Sequence, residues 1–381
     1  MIWPKLSKGE PMRVELHSNR KMFKRQYRLS EPDMVEMNRQ IQQMEKSGVI
    51  EPWVIGHEKN GQKRMVVDLR GVNSLIIPKL VQLPQIEELL ETVSSSKPRY
   101  LTTFDILSAF YQIGLHEESH DLTSFTGPDG RCWRYTRAAM GMSNTQSALN
   151  LLLPNIFSDK SRFHSLVCYV DDILVYSNNW NDHIQQLELS LKTLQENRIS
   201  CSPMKTKIGF AEVEYLGHRR SAESVRISKK RVEAIGKIQA PKNLKALQRV
   251  LGMFNYWKKY LRDYSKNTYH MRQLLKKDTE FKWMPECQKE LEYLKNCLAS
   301  DSILKPIDLN RDLVISCDAS IYGIGFVIIQ ADNDGMLHAV RYGSYATTPA
   351  QTNYSAEDLE AVGLMYALKS IEWLELWLGL G

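Results

Sequence analysis

The sequence predicts an α+β protein, and three observations lead to this class. Two short apolar segments, residues 100–106 and 166–176, have the length and alternation of strands, and each carries aspartate. Between residues 244 and 261, apolar side chains recur at steps of three and four, which indicates an amphipathic helix. From residue 313 to residue 369, two strand patterns precede a helix pattern.

The composition is that of a globular chain with more than one domain. The 381 residues are 43% hydrophobic and 25% charged, which predicts two or three domains rather than disorder. No apolar run approaches the roughly 18 residues of a membrane span, and the N-terminus lacks the apolar core of a signal peptide, so we expect no membrane partner. The six cysteines show no CxxC pair and no zinc-ligand spacing, which argues against a disulfide scaffold or zinc finger and favours a reducing compartment.

The N-terminal part predicts one helix and one strand. Ser30-Glu-Pro-Asp is a helix-start signal, and the apolar residues after it keep helical spacing at Met34, Met37, Ile41, Met44 and Ile50. Residues 62–70, which are basic and extended in pattern, predict a strand.

A pair of aspartates interrupts the second apolar segment. Asp171 and Asp172 lie between two short apolar runs, which predicts a β-hairpin with adjacent carboxylates at its turn. One interpretation is a turn that faces solvent. In the other, the strand that carries Asp105 is a neighbour, and three carboxylates form a Mg²⁺ site of hard oxygen ligands. Two such ions about 4 Å apart can activate a 3′-hydroxyl and stabilise a pyrophosphate leaving group. Spacing alone leaves both interpretations open.

Positive charge is concentrated in one segment. Residues 201–282 contain 20 Lys and Arg and 7 Asp and Glu, a local charge of +13 in a chain of net charge +6. We predict that residues 181–305 are mainly helical, with the apolar stripe Leu244, Leu247, Val250, Leu251, Phe254, Trp257 and Leu261. The basic face opposite the stripe suits a polyanion such as nucleic acid, and a solvated helix face is an equal alternative.

Stretches along the chain resemble the motifs of reverse transcriptases from gypsy-type LTR retrotransposons. Asp105-Ile-Leu-Ser-Ala-Phe-Tyr-Gln-Ile113 is similar to their first catalytic motif, and Tyr169-Val-Asp-Asp172 to their tyrosine–X–aspartate–aspartate box. Further similar stretches follow the family's order: Tyr27-Arg-Leu-Ser, Val67-Asp-Leu-Arg-Gly-Val-Asn73, Leu83-Pro-Gln-Ile-Glu-Glu-Leu-Leu90, Met140-Gly-Met-Ser-Asn144, Tyr215-Leu-Gly-His218, Leu251-Gly-Met-Phe-Asn-Tyr-Trp257, Phe281-Lys-Trp and Cys317-Asp-Ala-Ser. The resemblance extends from about residue 13 to residue 374.

The resemblance implies a right-hand polymerase of fingers, palm with an antiparallel sheet, and thumb, followed by a partial ribonuclease H-like α/β domain. We expect fingers and palm in residues 1–180, the palm end and thumb in 181–280, and the connection with a truncated ribonuclease H-like domain in 281–381. The implied partners are an RNA template, a DNA primer, the RNA–DNA hybrid and deoxynucleoside triphosphates, with a homodimer as an option. The implied location is intracellular, in a cytoplasmic virus-like particle or the nucleus, although the sequence does not assign the compartment.

The resemblance also implies the roles of single residues. Asp105, Asp171 and Asp172 match the metal-binding triad, with the Ile106 carbonyl as a further ligand, for two Mg²⁺ ions or for Mn²⁺ instead. Lys205 matches the lysine that protonates pyrophosphate, although a lone lysine is usually only solvated. The residues implied at the nucleotide are Arg64 on the triphosphate, Phe110 as the gate against a ribose 2′-hydroxyl or else ordinary core, and Met140, Gly141 and Tyr169. Leu216, Gly217 and His218 match the primer grip, and Asp318 and Glu360 match the first two acids of ribonuclease H.

Three departures from the family pattern accompany this resemblance. Ala139-Met140-Gly141 stands where the family has proline-phenylalanine-glycine, and Thr145-Gln146 where it has alanine-proline. The fingers segment between Gly48 and Arg64 is short. The later ribonuclease H aspartates would lie beyond Gly381, so we expect that RNA cleavage is absent.

The sequence is compatible with three functions. The leading hypothesis is an RNA-directed DNA polymerase. The alternative is a catalytically dead, retroelement-derived protein that binds nucleic acid or another partner, which the three departures motivate. The third is a metal-dependent nuclease on an unrelated fold, which would leave the primer-grip and thumb stretches unexplained.

Overall fold

A computed structural model describes residues 6–18, 30–50, 68–83, 86–126, 132–277, 279–300, 304–308 and 311–371. The chain divides into two compact units, each with its own core. The first unit contains Met1–Leu89 and Arg99–Phe210, and the second contains Leu90–Pro98 and Ala211–Gly381.

The first unit is built on a four-stranded antiparallel sheet in the order β4-β5-β1-β6. Its strands, with a separate two-stranded pair β2–β3, are β1 (Tyr100–Asp105), β2 (Phe125–Thr126), β3 (Cys132–Trp133), β4 (Leu166–Tyr169), β5 (Asp172–Ser177) and β6 (Lys207–Phe210). Residues 173–177 of β5 are all buried, which explains why the strand reads as a continuous apolar run. The strand predicted at residues 100–106 and the hairpin predicted at 166–176 are confirmed.

The helices of the first unit are α1 (Glu31–Lys46), α2 (Arg70–Asn73), α4 (Glu117–His120), α5 (Ser143–Ile156) and α6 (Trp180–Glu196), while α3 (Ile86–Ser95) crosses the division between the units. The predicted N-terminal helix is confirmed, because Ser30 caps α1 by accepting from the Asp33 N–H. The strand predicted at residues 62–70 is wrong at its end, since Arg70 begins α2 and donates its backbone N–H to the Asp68 carboxylate. Residues 62–67 lie outside the described residues.

The second unit contains two three-stranded antiparallel sheets, β7-β8-β9 and β10-β11-β12. The strands are β7 (Glu212–Tyr215), β8 (His218–Ser221), β9 (Val225–Ile227), β10 (Val314–Ser320), β11 (Gly323–Ala331) and β12 (Leu337–Tyr345). The helices are α7 (Lys229–Gly236), α8 (Leu244–Tyr256), α9 (Tyr269–Gln273), α10 (Pro285–Ala299) and α11 (Ala356–Lys369). Two further strands and the last helix were predicted correctly, whereas β7, β8, β9 and β12 were not predicted.

The predicted amphipathic stripe at residues 244–261 is confirmed in its core but not as one helix. Leu247, Leu251 and Phe254 of α8 are buried, whereas Leu244 is exposed. The helix ends at Tyr256, and a 3₁₀ turn at Lys258–Tyr260 follows. Leu261 is buried, but it lies after this turn and not on α8. No helix in the described part of the chain is both long enough and apolar enough to cross a membrane.

Candidate active site

Three aspartates meet at one end of the sheet of the first unit. Asp105 is the last residue of β1 and Asp172 the first of β5, and they are directly paired across the two strands. The hairpin β4–β5 closes by the pairing of Tyr169 with Asp172, which leaves Asp171 in its two-residue turn. The Ile106 N–H donates to the Asp171 carbonyl at 3.2 Å, so the turn is held against the end of β1. The structure therefore brings together the residues predicted from distant motifs.

The turn between the two apolar runs has a costly backbone. Val170 has a φ of 57°, in the left-handed region that a β-branched residue rarely adopts. Two-residue hairpin turns require such angles, and glycine or asparagine usually supplies them. Here the strain is placed directly beside Asp171, a pattern common at functional sites.

Burial and mutual repulsion outweigh the one positive charge, that of Lys205, that lowers the pKa values of Asp171 and Asp172 among the described residues. Burial, followed by the charges of Asp171 and Asp105, raises the pKa of Asp172 to about 6. The pKa of Asp171 is also raised, mainly by burial and then by Asp105, while Lys205 acts in the opposite direction on both groups. Carboxylates that destabilise one another's charged form are a set that a divalent cation would stabilise. The donor set therefore fits a hard metal ion.

Lys205 is the cation of this cluster. Its Nζ lies 3.0 Å from both carboxylate oxygens of Asp105, and the lysine side chain is largely exposed. Within the described residues no group of three His, Cys, Asp or Glu side chains is already arranged to hold an ion. Lys205 engages both oxygens of the Asp105 carboxylate. Lys205 would have to move away from the Asp105 carboxylate before that carboxylate could bind a metal ion.

The residues predicted at the nucleotide lie in different settings. Phe110 and Met140 are half-buried and pack against the core of the first unit, which is compatible with either role considered for Phe110. Gly141 is exposed and has a φ of 88°, a conformation that glycine adopts without strain. Tyr169 is half-buried at the end of β4. Arg64 lies outside the described residues.

The altered third motif still forms a closed turn at the start of α5. The Thr145 hydroxyl donates to the Ala139 carbonyl at 3.1 Å, across the turn. Asn73 donates to the Gly141 carbonyl at 2.7 Å and accepts from the Ser143 N–H at 3.0 Å. Sequence reasoning assigned Asn73 no role, and no spacing signal could have revealed a partner almost 70 positions away.

The predicted primer grip is a tight hairpin turn in the second unit. Leu216 and Gly217 separate β7 from β8, and both have positive φ, 51° and 80°, as a type I′ turn requires. His218 is 1% exposed, and its Nδ1 lies 2.8 Å from the Tyr260 hydroxyl. Burial, followed by the charges of Lys259 and Arg220, lowers the pKa of His218 to about 2. The imidazole faces the interior, so only the turn is available to a ligand.

The two predicted ribonuclease H acids lie in different elements, Asp318 in β10 and Glu360 in α11. The backbone of Gly363 in α11 approaches Cys317, so α11 covers the face of β10 that carries this thiol. The charge of Glu360, also in α11, contributes to raising the pKa of Cys317, although burial is the larger cause. Because side chains alternate along a strand, Asp318 points to the opposite face, where Lys266 lies 3.9 Å away. No contact described in this unit joins Asp318 to Glu360.

Two family models match the chain. Residues 55–220 match the reverse transcriptase (RNA-dependent DNA polymerase) family, and residues 283–375 match the RNase H-like domain found in reverse transcriptase. The Transposon Tf2-3 polyprotein of Schizosaccharomyces pombe is 30% identical over 375 residues, and the Tf2-7 polyprotein 29%. Each alignment covers 96% of this chain, which spans only 28% of those relatives.

Solved structures show the same fold. The foamy viral protease-reverse transcriptase dRH in complex with double-stranded DNA matches 97% of this chain and 66% of that chain, with a TM-score of 0.84 and 22% identity. The foamy viral protease-reverse transcriptase in complex with an RNA/DNA hybrid matches 97% of this chain and 50% of that chain, with a TM-score of 0.76 and 21% identity. The predicted fold class is confirmed, which excludes the nuclease on an unrelated fold.

Proposed function

Because this chain belongs to the reverse transcriptases of gypsy-type LTR retrotransposons, we propose that it is an RNA-directed DNA polymerase. It extends the 3′-hydroxyl of a DNA primer with deoxynucleoside triphosphates on an RNA template and releases pyrophosphate. The observation that carries the proposal is the meeting of Asp105, Asp171 and Asp172 at one end of the sheet, beside Lys205.

The carboxylates of the triad and the Ile106 carbonyl are the groups that would hold two divalent ions, Mg²⁺ or alternatively Mn²⁺. When bound, such ions lower the pKa of the attacking hydroxyl and stabilise charge on the leaving group. Lys205 would leave the Asp105 carboxylate and contact the pyrophosphate. Its Nζ would then donate a proton to the pyrophosphate. This exchange suits a side chain that is exposed and flexible.

The remaining predicted residues would bind the incoming nucleotide and the primer strand and select deoxyribose over ribose. Phe110 lies on a short loop directly after β1 and would exclude a ribose 2′-hydroxyl. Met140, Gly141 and Tyr169 would line the nascent base pair, and Arg64 would contact the triphosphate through its planar guanidinium. The Leu216–Gly217 turn would hold the primer strand by its backbone. Homodimerisation, which the sequence left as an option, stays a prediction.

Primer extension by the purified chain tests the proposal. We expect Mg²⁺-dependent extension of a DNA primer on an RNA template, and a loss of at least about a thousandfold in Asp171→Asn because a triad carboxylate is removed. Asp312→Asn, the same chemical change at an exposed position of the second unit, serves as the matched control and should retain the wild-type rate. Salt-sensitive duplex binding without any synthesis would support the catalytically dead alternative instead.

We also infer that the ribonuclease H-like domain does not cleave RNA. Lys266 lies 3.9 Å from Asp318, and no contact described in this unit joins Asp318 to Glu360 of α11, which supports this. Two-metal hydrolysis needs carboxylates that share the same ions. Metal-dependent release of RNA fragments from an RNA–DNA hybrid by the purified chain would refute the inference.

A further inference from the structure

Gln112 is a fully buried amide close to the carboxylate cluster. It ends the 3₁₀ turn Ala109–Gln112, and it is 0% exposed. Its Nε2 donates to the Leu107 carbonyl at 2.6 Å and to the Ser200 carbonyl at 2.9 Å. Its Oε1 accepts from the Ser200 N–H at 2.7 Å. A buried amide with this many bonds to backbone is a rigid connection, because breaking any of them leaves a buried polar group unpaired.

These bonds join the segment that follows Asp105, residues 105–107, to the segment that precedes Lys205, residues 200–202. The segments run antiparallel: the Ser202 N–H donates to the Asp105 carbonyl at 2.8 Å, and the Leu107 N–H donates to the Ser200 carbonyl at 2.9 Å. Ile106 and Cys201 form an isolated bridge between them. Gln112 adds three bonds at the open end of this short ladder, and it therefore fixes the register in which Asp105 faces Lys205.

The same amide closes the loop that carries Phe110. The bond from Gln112 to the Leu107 carbonyl spans residues 107–112, a loop that includes Ser108 with a φ of 48°. A backbone in this unfavourable region persists only when its surroundings hold it. The position of Phe110 thus depends on the bond that also anchors the register of Asp105.

We propose that Gln112 is a positioning residue that couples the metal-binding carboxylate Asp105 to the sugar-selecting ring Phe110. This inference rests on the proposed polymerase function. It predicts that one substitution changes metal affinity and sugar selection together. An apolar residue of equal volume would fill the same space and lack the three bonds, so packing and positioning can be separated by experiment.

The experiment compares Gln112→Met with a matched control, Gln186→Met, in the full chain. Gln186 is also a buried amide of the first unit, in α6, and its Nε2 donates to the Arg162 carbonyl at 3.0 Å. For Gln112→Met we expect the Mg²⁺ concentration at half-maximal primer extension to rise about tenfold. The preference for deoxynucleotides over ribonucleotides should fall about tenfold, because one ångström of displacement at a reacting group can cost about a hundredfold and we expect a smaller displacement here. Gln186→Met should leave both quantities at the wild-type values.

A second measurement does not depend on synthesis. Mn²⁺ binding, followed by the electron paramagnetic resonance signal of the free ion, should weaken in Gln112→Met and not in Gln186→Met, with Asp105→Asn defining the contribution of the site. If the wild-type chain synthesises no DNA, the proposed function fails, while the Mn²⁺ comparison still tests the role of Gln112. Should Gln112→Met not fold, Gln112→Asn, which keeps the amide and shortens its reach, replaces it. Lower stability in urea with unchanged metal affinity and unchanged sugar selection would overturn the proposal.

Discussion

A buried neutral histidine makes the second unit sensitive to acid. His218 packs against Trp257 and Tyr260, with ring centroids 5.1 and 5.9 Å away, and its pKa is about 2. Below about pH 6.5 the unfolded chain gains a proton on this residue and the folded chain does not. The stability that the neutral imidazole contributes is therefore complete above pH 6.5 and is lost as the pH falls towards 2.

We predict that the free energy of unfolding decreases by about 2 kcal/mol between pH 6.5 and pH 5 through this residue. Urea unfolding at the two pH values measures it. His218→Gln, which has no titrating ring, should show a smaller decrease than the wild type by that amount, whereas exposed His17→Gln should not differ from it. Equal decreases in His218→Gln and in the wild type would show that the histidine does not control the effect.

Among single residues, the acidic side chains could be predicted from the sequence, but the residues that hold functional groups in position could not. Asp105, Asp171 and Asp172 were identifiable because carboxylates in apolar strands are conspicuous, and the resemblance supplied their roles. Gln112 lay inside a recognised motif, but its partner Ser200 is 88 positions away and offers only backbone atoms. The inward orientation of His218 likewise depends on Tyr260, which no spacing rule connects to the β8 strand.

Among the structural elements, the β7–β8 hairpin has a turn in which one residue is suited to its backbone and the other is not. Gly217 adopts its φ of 80° freely, whereas Leu216 adopts a φ of 51° against the clash of its own Cβ. Asparagine followed by glycine is the pair preferred in type I′ turns.

We therefore expect Leu216→Asn to raise the free energy of unfolding by about 0.5–1 kcal/mol, and Gly217→Ala to lower it by about 1–2 kcal/mol. Chemical denaturation measures both changes. Gly236→Ala is the control for the glycine substitution, since a Cβ at this last residue of α7 would meet no atom within 4 Å. A destabilised Leu216→Asn would mean that the leucine side chain contributes more than its backbone strain costs.

The strands that were predicted differ physically from those that were missed. β1 and β5 are strongly buried and apolar, so their pattern is visible in the sequence. The missed strands β7, β8 and β9 have three or four residues, and each carries Glu or Arg. These strands are stabilised by hydrogen bonds to neighbouring strands, and they are too short to show a clear hydrophobic pattern. Because they lie in a basic segment, their sequences are also compatible with helix or loop.

For the molecule as a whole, the uneven charge predicts how nucleic acid is bound. Residues 201–282 carry +13 in a chain of net charge +6. Contacts of lysine and arginine with phosphates release counterions, so affinity falls steeply with salt. If about four phosphates are contacted, the dissociation constant for an RNA–DNA hybrid should rise about a hundredfold between 50 and 200 mM salt. Fluorescence anisotropy with a labelled hybrid measures it, and an affinity independent of salt would contradict the prediction.

The strand order of the first unit constrains how the chain comes to be folded during its synthesis. β1 lies between β5 and β6, both of which are encoded far downstream of it. At a ribosomal speed of about 5–20 residues per second, the segment ending at Asp105 waits about 3–13 s before its partner Asp172 is made. Throughout that interval β1 has neither of its partner strands, β5 and β6. The nascent chain is therefore exposed to chaperones and to aggregation during the seconds before the three aspartates can come together.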